Sequence, residues 1–163
     1  MKRKYWIIGG IFCLVLALDQ ASKLVIERSL PLHHACEIIP GFFHITHVQN
    51  SGAAFGLLAH IPGAATIFVI VSLIAIVLIL AYIRQIREGE VWTPVCFALI
   101  LAGAVGNVID RFRLGVVVDF LDLHYRGWHW PAFNVADASI TVGVIALVLK
   151  VLSGKGMAAQ GGA

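Results

Sequence analysis

The chain has 163 residues, of which 60% are hydrophobic and only 13% charged. A water-soluble globule of this size carries roughly a quarter of its residues as charges, so lipid is the expected solvent, and a single domain over 1–163 leaves no room for a separate soluble module. The formal charge of +3 is scattered rather than gathered into a basic stripe, which speaks against nucleic acid as a partner.

Residues 5–24 form the first apolar stretch, near the ~20 residues needed to cross a ~30 Å hydrocarbon core. Lys2, Arg3 and Lys4 precede it in the manner of a secretory signal. No small-x-small cleavage site follows, and Phe12 before Cys13 suits a lipoprotein cleavage box poorly, so the stretch reads as a retained span. Residues 25–61 make a long loop, in which 38–48 mixes β-branched and aromatic residues with polar ones and predicts a short strand pair. A second span is expected over 62–83, a short charged turn over 84–91 and a third span over 92–109. A second long loop over 110–134 leads to a fourth span over 135–152, and the small-residue tail 153–163 is expected to fray. The fold class expected is an all-α membrane protein with four transmembrane helices and a small β-containing extracytoplasmic loop after the first.

Lys2, Arg3, Lys4, Arg84, Arg87, Lys150 and Lys155 fall on one side of these spans, and Lys23, Arg28, Arg111, Arg113 and Arg126 on the other. The positive-inside rule then puts both termini in the cytoplasm. With alternating spans, all five aspartates (Asp19, Asp110, Asp119, Asp122 and Asp137) land at the opposite, outer face. Ionisable groups near lipid are costly and usually face the bundle interior or water, where they carry a role. Gly103, Asn107 and Asp110 share one helical face of span three, and Asp19 and Lys23 stand i, i+4 on span one. Asp110 and Arg111 are expected to form a structural ion pair or hydrogen-bond hub, and Asp122 to be an exposed loop carboxylate.

Two aspartates sharing a proton can supply both the base and the acid for peptide hydrolysis, because like charges a few Å apart do not both ionise. Asp119, flanked by Val118 and Phe120 in the outer loop, and Asp137, in the first turn of span four, are the candidates for such a pair. Asp137 also follows Asn134 at the spacing of a helix N-cap, and a functional and a capping reading both stand for it. Asn107 and Asn134 would position the dyad or bond between helices. The seven histidines include His44-x-x-His47 but no HExxH, so no metal is expected. Cys13, Cys36 and Cys96 form no CxxC pair. Ser51 lacks a GxSxG context, and Cys36 near His34 is equally unsupported as a nucleophile. A small proton-linked transporter or assembly factor is the rival reading, and it expects charges at mid-membrane depth rather than at one face.

Five blocks carry a resemblance: Asp19-Gln-Ala-Ser-Lys23, Asn50-Ser-Gly-Ala-Ala-Phe55, Gly103-Ala-Val-Gly-Asn107-Val-Ile-Asp110-Arg111, Val118-Asp119-Phe120 and Phe133-Asn-Val-Ala-Asp137. In this order on four spans, they make the chain resemble lipoprotein signal peptidase, the signal peptidase II family. Ala102 stands where that family commonly has glycine. The resemblance implies an aspartyl endopeptidase of the bacterial inner membrane; a monomer without a cofactor is expected. Its substrate would be a diacylglyceryl-modified prolipoprotein, cut on the amino side of the lipidated cysteine, and globomycin-type cyclic peptides would inhibit it. Asp119 and Asp137 would be catalytic, and Asp19, Lys23, Asn50, Gly52, Asn107, Asp110, Arg111 and Asn134 would support them or bind substrate.

Overall fold

The computed structural model describes residues 3–51 and 63–160, with side chains beyond Ser153 left aside. Four helices, α1 (Arg3–Ser29), α2 (Ala64–Ile83), α3 (Trp92–Leu114) and α4 (Val135–Gln160), are each long and apolar enough to cross a membrane. Their outward side chains, among them Leu14, Val25, Val77, Leu78 and Ile145, are exposed in a way that only lipid explains. α2 is apolar on every face. α3 is the central element: most of it is buried, whereas the other three helices are largely exposed along their lengths.

Small residues permit this. A Cβ at Gly103 would strike the Ala136 carbonyl, Ser139 Oγ at 2.6 Å and Ile140 Cγ1 at 2.7 Å, and one at Gly143 would meet Ile100 Cγ1 at 2.8 Å. The backbones of α3 and α4 therefore lie closer than any side chain would allow. At the end of the bundle where the chain starts, Lys4 Nζ donates to the carbonyls of Ile83 (3.0 Å), Arg84 (3.4 Å) and Ile86 (2.7 Å). It thereby caps the carboxyl end of α2 with a charge of the sign its dipole favours. Lys150 of α4 bonds Thr93 and Glu90 near the start of α3 at this same end.

At the other end sits an antiparallel sheet in the order β1 (Ala35–Ile39), β2 (Phe43–Asn50), β3 (Val117–Tyr125) and β4 (Trp128–His129). The strand pair expected within 38–48 is present, turning at Gly41 with φ +71°. The sheet is larger than expected, because the loop between spans three and four supplies two further strands. Asp119 accordingly lies on a strand, paired with Val48, and not in a loop. Arg126 and Gly127, at φ 50° and 80°, make the two-residue turn between β3 and β4 that matches the strands' twist. Spans one and three also run further than their apolar stretches, to Ser29 and Leu114, since polar residues continue a helix where the sheet covers its end. α4 likewise continues past Gly154 to Gln160, into the segment expected to fray; Ala, Met and Gln are strong helix formers and no proline intervenes.

Gly103→Ala is expected to cost about 1–3 kcal/mol through overpacking, read as a lower Tm of the detergent-solubilised protein. Gly9→Ala, whose added Cβ would meet nothing within 4 Å, should leave the Tm unchanged or raise it.

Candidate active site

The polar cluster is built around Lys23, which is completely buried. Its ammonium lies 2.9 Å from Asp19 Oδ2, one helical turn back on α1, and 2.9 Å from Asp110 Oδ2 on α3. Its remaining bond goes to Asn107 Oδ1 at 3.1 Å. Asp19 and Asp110 are themselves fully buried, and each has a second duty. Asp19 Oδ1 accepts the Ala136 N–H at 2.9 Å, satisfying an orphan donor in the first turn of α4 from another helix. Asp110 accepts the Val118 N–H at 3.3 Å, which fixes the start of β3. Gly106 is required here, because a Cβ would come within 2.5 Å of Asp19 Oδ2.

Asp110 thus pairs with Lys23 and not with Arg111. Neighbouring residues on a helix point about 100° apart, so only one of the two faces α1. Arg111 turns toward α2, stacking over Phe68 at 5.4 Å, and its buried Nε finds no hydrogen-bond partner among the described residues. Sequence reasoning also missed Gln20, whose amide donates to Asp19 (3.0 Å), Asp110 (3.1 Å) and the Gly106 carbonyl (3.3 Å). Its place in a buried charged turn was the available signal. Asp122 is not the exposed loop carboxylate expected: it lies on β3 with its side chain 14% exposed and accepts from His129.

Three asparagines extend the Lys23 cluster to Asp119 and Asp137. Asn107 Nδ2 donates to Asp137 Oδ1 at 2.7 Å. Asn134 is the N-cap of α4 in full: its Oδ1 accepts the Asp137 N–H at 2.9 Å, while its own N–H donates to Asp137 Oδ2 at 3.4 Å, a reciprocal capping box. The Asn134 amide then donates to Asp119 Oδ1 at 2.7 Å, and Asn50 Nδ2 donates to Asp119 Oδ2 at 2.9 Å. Backbone bonds between Phe133 and β3 (Phe120 and Leu121) hold the cap residue beside its strand. The supporting residues expected from the sequence are joined by these side-chain bonds, with two exceptions. Arg111 donates through Nη1 to the Asn107 backbone carbonyl at 3.2 Å, and Gly52 lies outside the described residues together with Ala53–Phe55.

Asp119 and Asp137 both open onto one cavity of about 670 Å³ between α2, α3, α4 and the segment 130–133. Its floor is polar, with Asn50, Asn107 and the two aspartates, and its walls include Phe68, Phe133, Ile140 and Val142. On β3, outside the spanning helices, burial pushes the Asp119 carboxyl up to about 7, and the neighbouring Asp137 charge adds to the rise. Hydrogen bonds from Asn50 and Asn134 and the Lys23 charge oppose it.

A four-span membrane protein with two neighbouring carboxylates at the floor of an apolar-walled cavity is the class defined here. Residues 11–153 match the family model described as signal peptidase (SPase) II. A lipoprotein signal peptidase of Geobacter metallireducens is 42% identical over 93% of this chain and 94% of its own length. That of Syntrophotalea carbinolica is 48% identical over 85% and 86%. A solved bacterial membrane enzyme superposes with a TM-score of 0.81 at 34% identity, covering 90% of this chain and 87% of that one. The chain belongs to the signal peptidase II family, and is accordingly a multi-pass peptidase of the bacterial inner membrane.

Lys23→Met would leave two buried carboxylates without their cation. It is expected to cost about 3–5 kcal/mol, seen as loss of the folded monodisperse species in detergent; a Tm equal to that of the unchanged protein would rule out this role for the lysine.

Proposed function

We propose that the protein is an aspartyl endopeptidase that removes the signal peptide from diacylglyceryl-modified prolipoproteins, on the amino side of the lipidated cysteine. The observation that carries this reading is the placement of Asp119 and Asp137 on the polar floor of one apolar-walled cavity. The walls suit acyl chains, and the floor suits a peptide bond.

The pair shares one proton at neutral pH, a state that the rise of Asp119 to about 7 supports. The ionised carboxylate takes a proton from a water, and the hydroxide attacks the scissile carbonyl carbon. The protonated carboxyl gives its proton to the carbonyl oxygen, forming a neutral gem-diol. Collapse of the diol breaks the C–N bond, the proton taken from water passes to the leaving nitrogen, and a diol proton returns to the pair. Asn50 and Asn134 hold the two oxygens of Asp119, Asn107 holds Asp137, and Lys23 orients Asn107. The Arg111 guanidinium lines the cavity and donates through Nη1 to the Asn107 carbonyl at 3.2 Å. Its Nε, unpartnered among the described residues, is left to offer a substrate carbonyl or ester oxygen. Asp19, Asp110 and Gln20 position Lys23 and the start of α4. Gly52 stands two residues after Asn50 in sequence and belongs to the substrate-binding segment. The basic amino terminus supports cytoplasmic termini, with the cavity toward the extracytoplasmic face. The enzyme acts as a monomer, without a catalytic metal or other cofactor, and globomycin-type cyclic peptides occupy the same cavity.

Asp119→Asn and Asp137→Asn are each expected to lower turnover of a lipidated prolipoprotein by about 10⁴-fold or more, since removing either member leaves no acid–base pair. The assay is gel-shift cleavage in detergent with a chelator present, and full activity in either variant would sink the dyad. Because ionising a buried carboxyl costs stability above the unfolded value of 3.8, Asp119→Asn should melt no lower than the unchanged protein at pH 8.

The pH dependence follows in sign from the same shift. Asp119 gains a proton below about 7 and loses it above, so raising the pH through that value removes the shared proton. The expected kcat/KM therefore falls on an alkaline limb centred near pH 7, measured with a fluorogenic lipopeptide; a flat profile from pH 6 to 9 would contradict it.

A further inference from the structure

The second face of the sheet carries a cluster that the peptidase chemistry does not use. Alternation along β3 points Asp119, Leu121 and Leu123 to one side, and Asp119 and Leu123 both line the cavity. Asp122 and His124 point to the other. The register continues this second face across the sheet: Glu37 of β1 stands opposite His44 of β2, His44 opposite Asp122 of β3, and His124 of β3 opposite His129 of β4.

We propose that this face is a binding site for a divalent transition-metal ion of the zinc type, held by Asp122, His124 and His129, with His44 as the adjacent fourth donor. One donor atom from each of Asp122, His124 and His129 lies within 4.8 Å of the other two. Ligands about 2.1 Å from a zinc ion stand at most about 4.2 Å apart, so small rotations close the set. The half-exposed His129 is free to make them, and its Nδ1 is already 3.0 Å from both Asp122 oxygens. His44 Nδ1 lies 3.6 Å from Asp122 Oδ2, and its ring is 4.0 Å from that of His124. His124 is the second, independent pointer: it is only 9% exposed, and its buried Nδ1 has no hydrogen-bond partner among the described residues. An unpaired buried nitrogen costs free energy that a ligand would recover. Its ring stacks on His129 at 4.9 Å and 16°, so the cluster brings three imidazoles and a carboxylate to one place. Imidazole with carboxylate suits zinc, copper and nickel rather than magnesium or calcium.

The His44-x-x-His47 spacing, which carried no metal reading in the sequence, does not mark this site either. His47 sits three residues on, bonded through Nδ1 to the Leu30 carbonyl at 2.8 Å, whereas the companions of His44 come from β3 and β4. An ion here would tie β2, β3 and β4 together behind the strand that bears Asp119. The role is that of a clamp on the sheet, separate from the hydrolytic step.

The test uses tag-free full-length protein in chelator-treated detergent, titrated with Zn²⁺ by calorimetry and with Co²⁺ by visible absorption. One saturable equivalent per chain is expected, with Co²⁺ bands of four- or five-coordinate intensity. His129→Gln and Asp122→Asn should each weaken binding about tenfold or more, and His34→Gln, on an exposed histidine outside the cluster, should leave it unchanged. His44→Gln serves as a further variant, and thermal melts confirm that each protein is folded. Absence of saturable binding, or equal affinity in folded His129→Gln or His44→Gln protein, overturns the proposal.

Discussion

The structure depends on one buried cation. Lys23 has no access to solvent, and it is held between Asp19 and Asp110 with Asn107 above it. A lone ammonium in such a place would shed its proton or drag water inward. Two carboxylates offset the cost of its burial, and their spare oxygens then reach the first turn of α4 and the first residues of β3. The same group of three side chains thus joins α1, α3, α4 and the sheet. A buried ion pair is poor evidence of stability compared with an apolar filling. Its worth here is that it admits one arrangement of the helices, since any rotation of α1 leaves a charge unpaired.

From that anchor the order passes outward through amides. Asn107, Asn134 and Asn50 each use a neutral NH₂ to hold an aspartate oxygen, so the two aspartates are fixed in place without a second lysine beside them. In the proposed mechanism, a cation in direct contact would stabilise both ionised forms and abolish the sharing of a proton. The neutral donors orient while opposing the rise of the Asp119 carboxyl only in part. Glycines do the complementary work: Gly103 and Gly106 let α4 and Asp19 approach α3 closely enough for short bonds.

Much of this was legible in the sequence, and the failures have physical reasons. The four spans follow from apolar length alone, and the Asp19–Lys23 pair from helical spacing. Asn134 was readable as a cap, and it proves to be one while also holding Asp119. The third strand was not readable, because Val117–Tyr125 acquires its partner from residues about 70 positions earlier, and sheet pairing over that distance leaves no local trace. The same cause hid the place of His44 beside the hairpin that carries Asp122, His124 and His129. Of the two readings of Asp110 and Arg111, an ion pair or a hydrogen-bond hub, the structure has the hub at Asp110, which meets Lys23, Gln20 and the Val118 N–H. The pair is absent because adjacent side chains on a helix diverge, and four-residue spacing was the better guide. Gln20 escaped notice because an amide carries no charge to draw attention to it.

The position of Lys23 also bears on the order in which the chain enters the membrane. α1 emerges first, and its lysine already has Asp19 one turn away, so this helix can meet lipid with its charge balanced. Lys4 reaches the carbonyls at the end of α2, but the body of α1 packs on α3 and α4 rather than on α2. Asp110 arrives on α3 with no partner of its own on that helix face, and its counter-charge is waiting on α1. Insertion of the third span is in this sense templated by the first, and the buried lysine serves as the address at which the later helix docks.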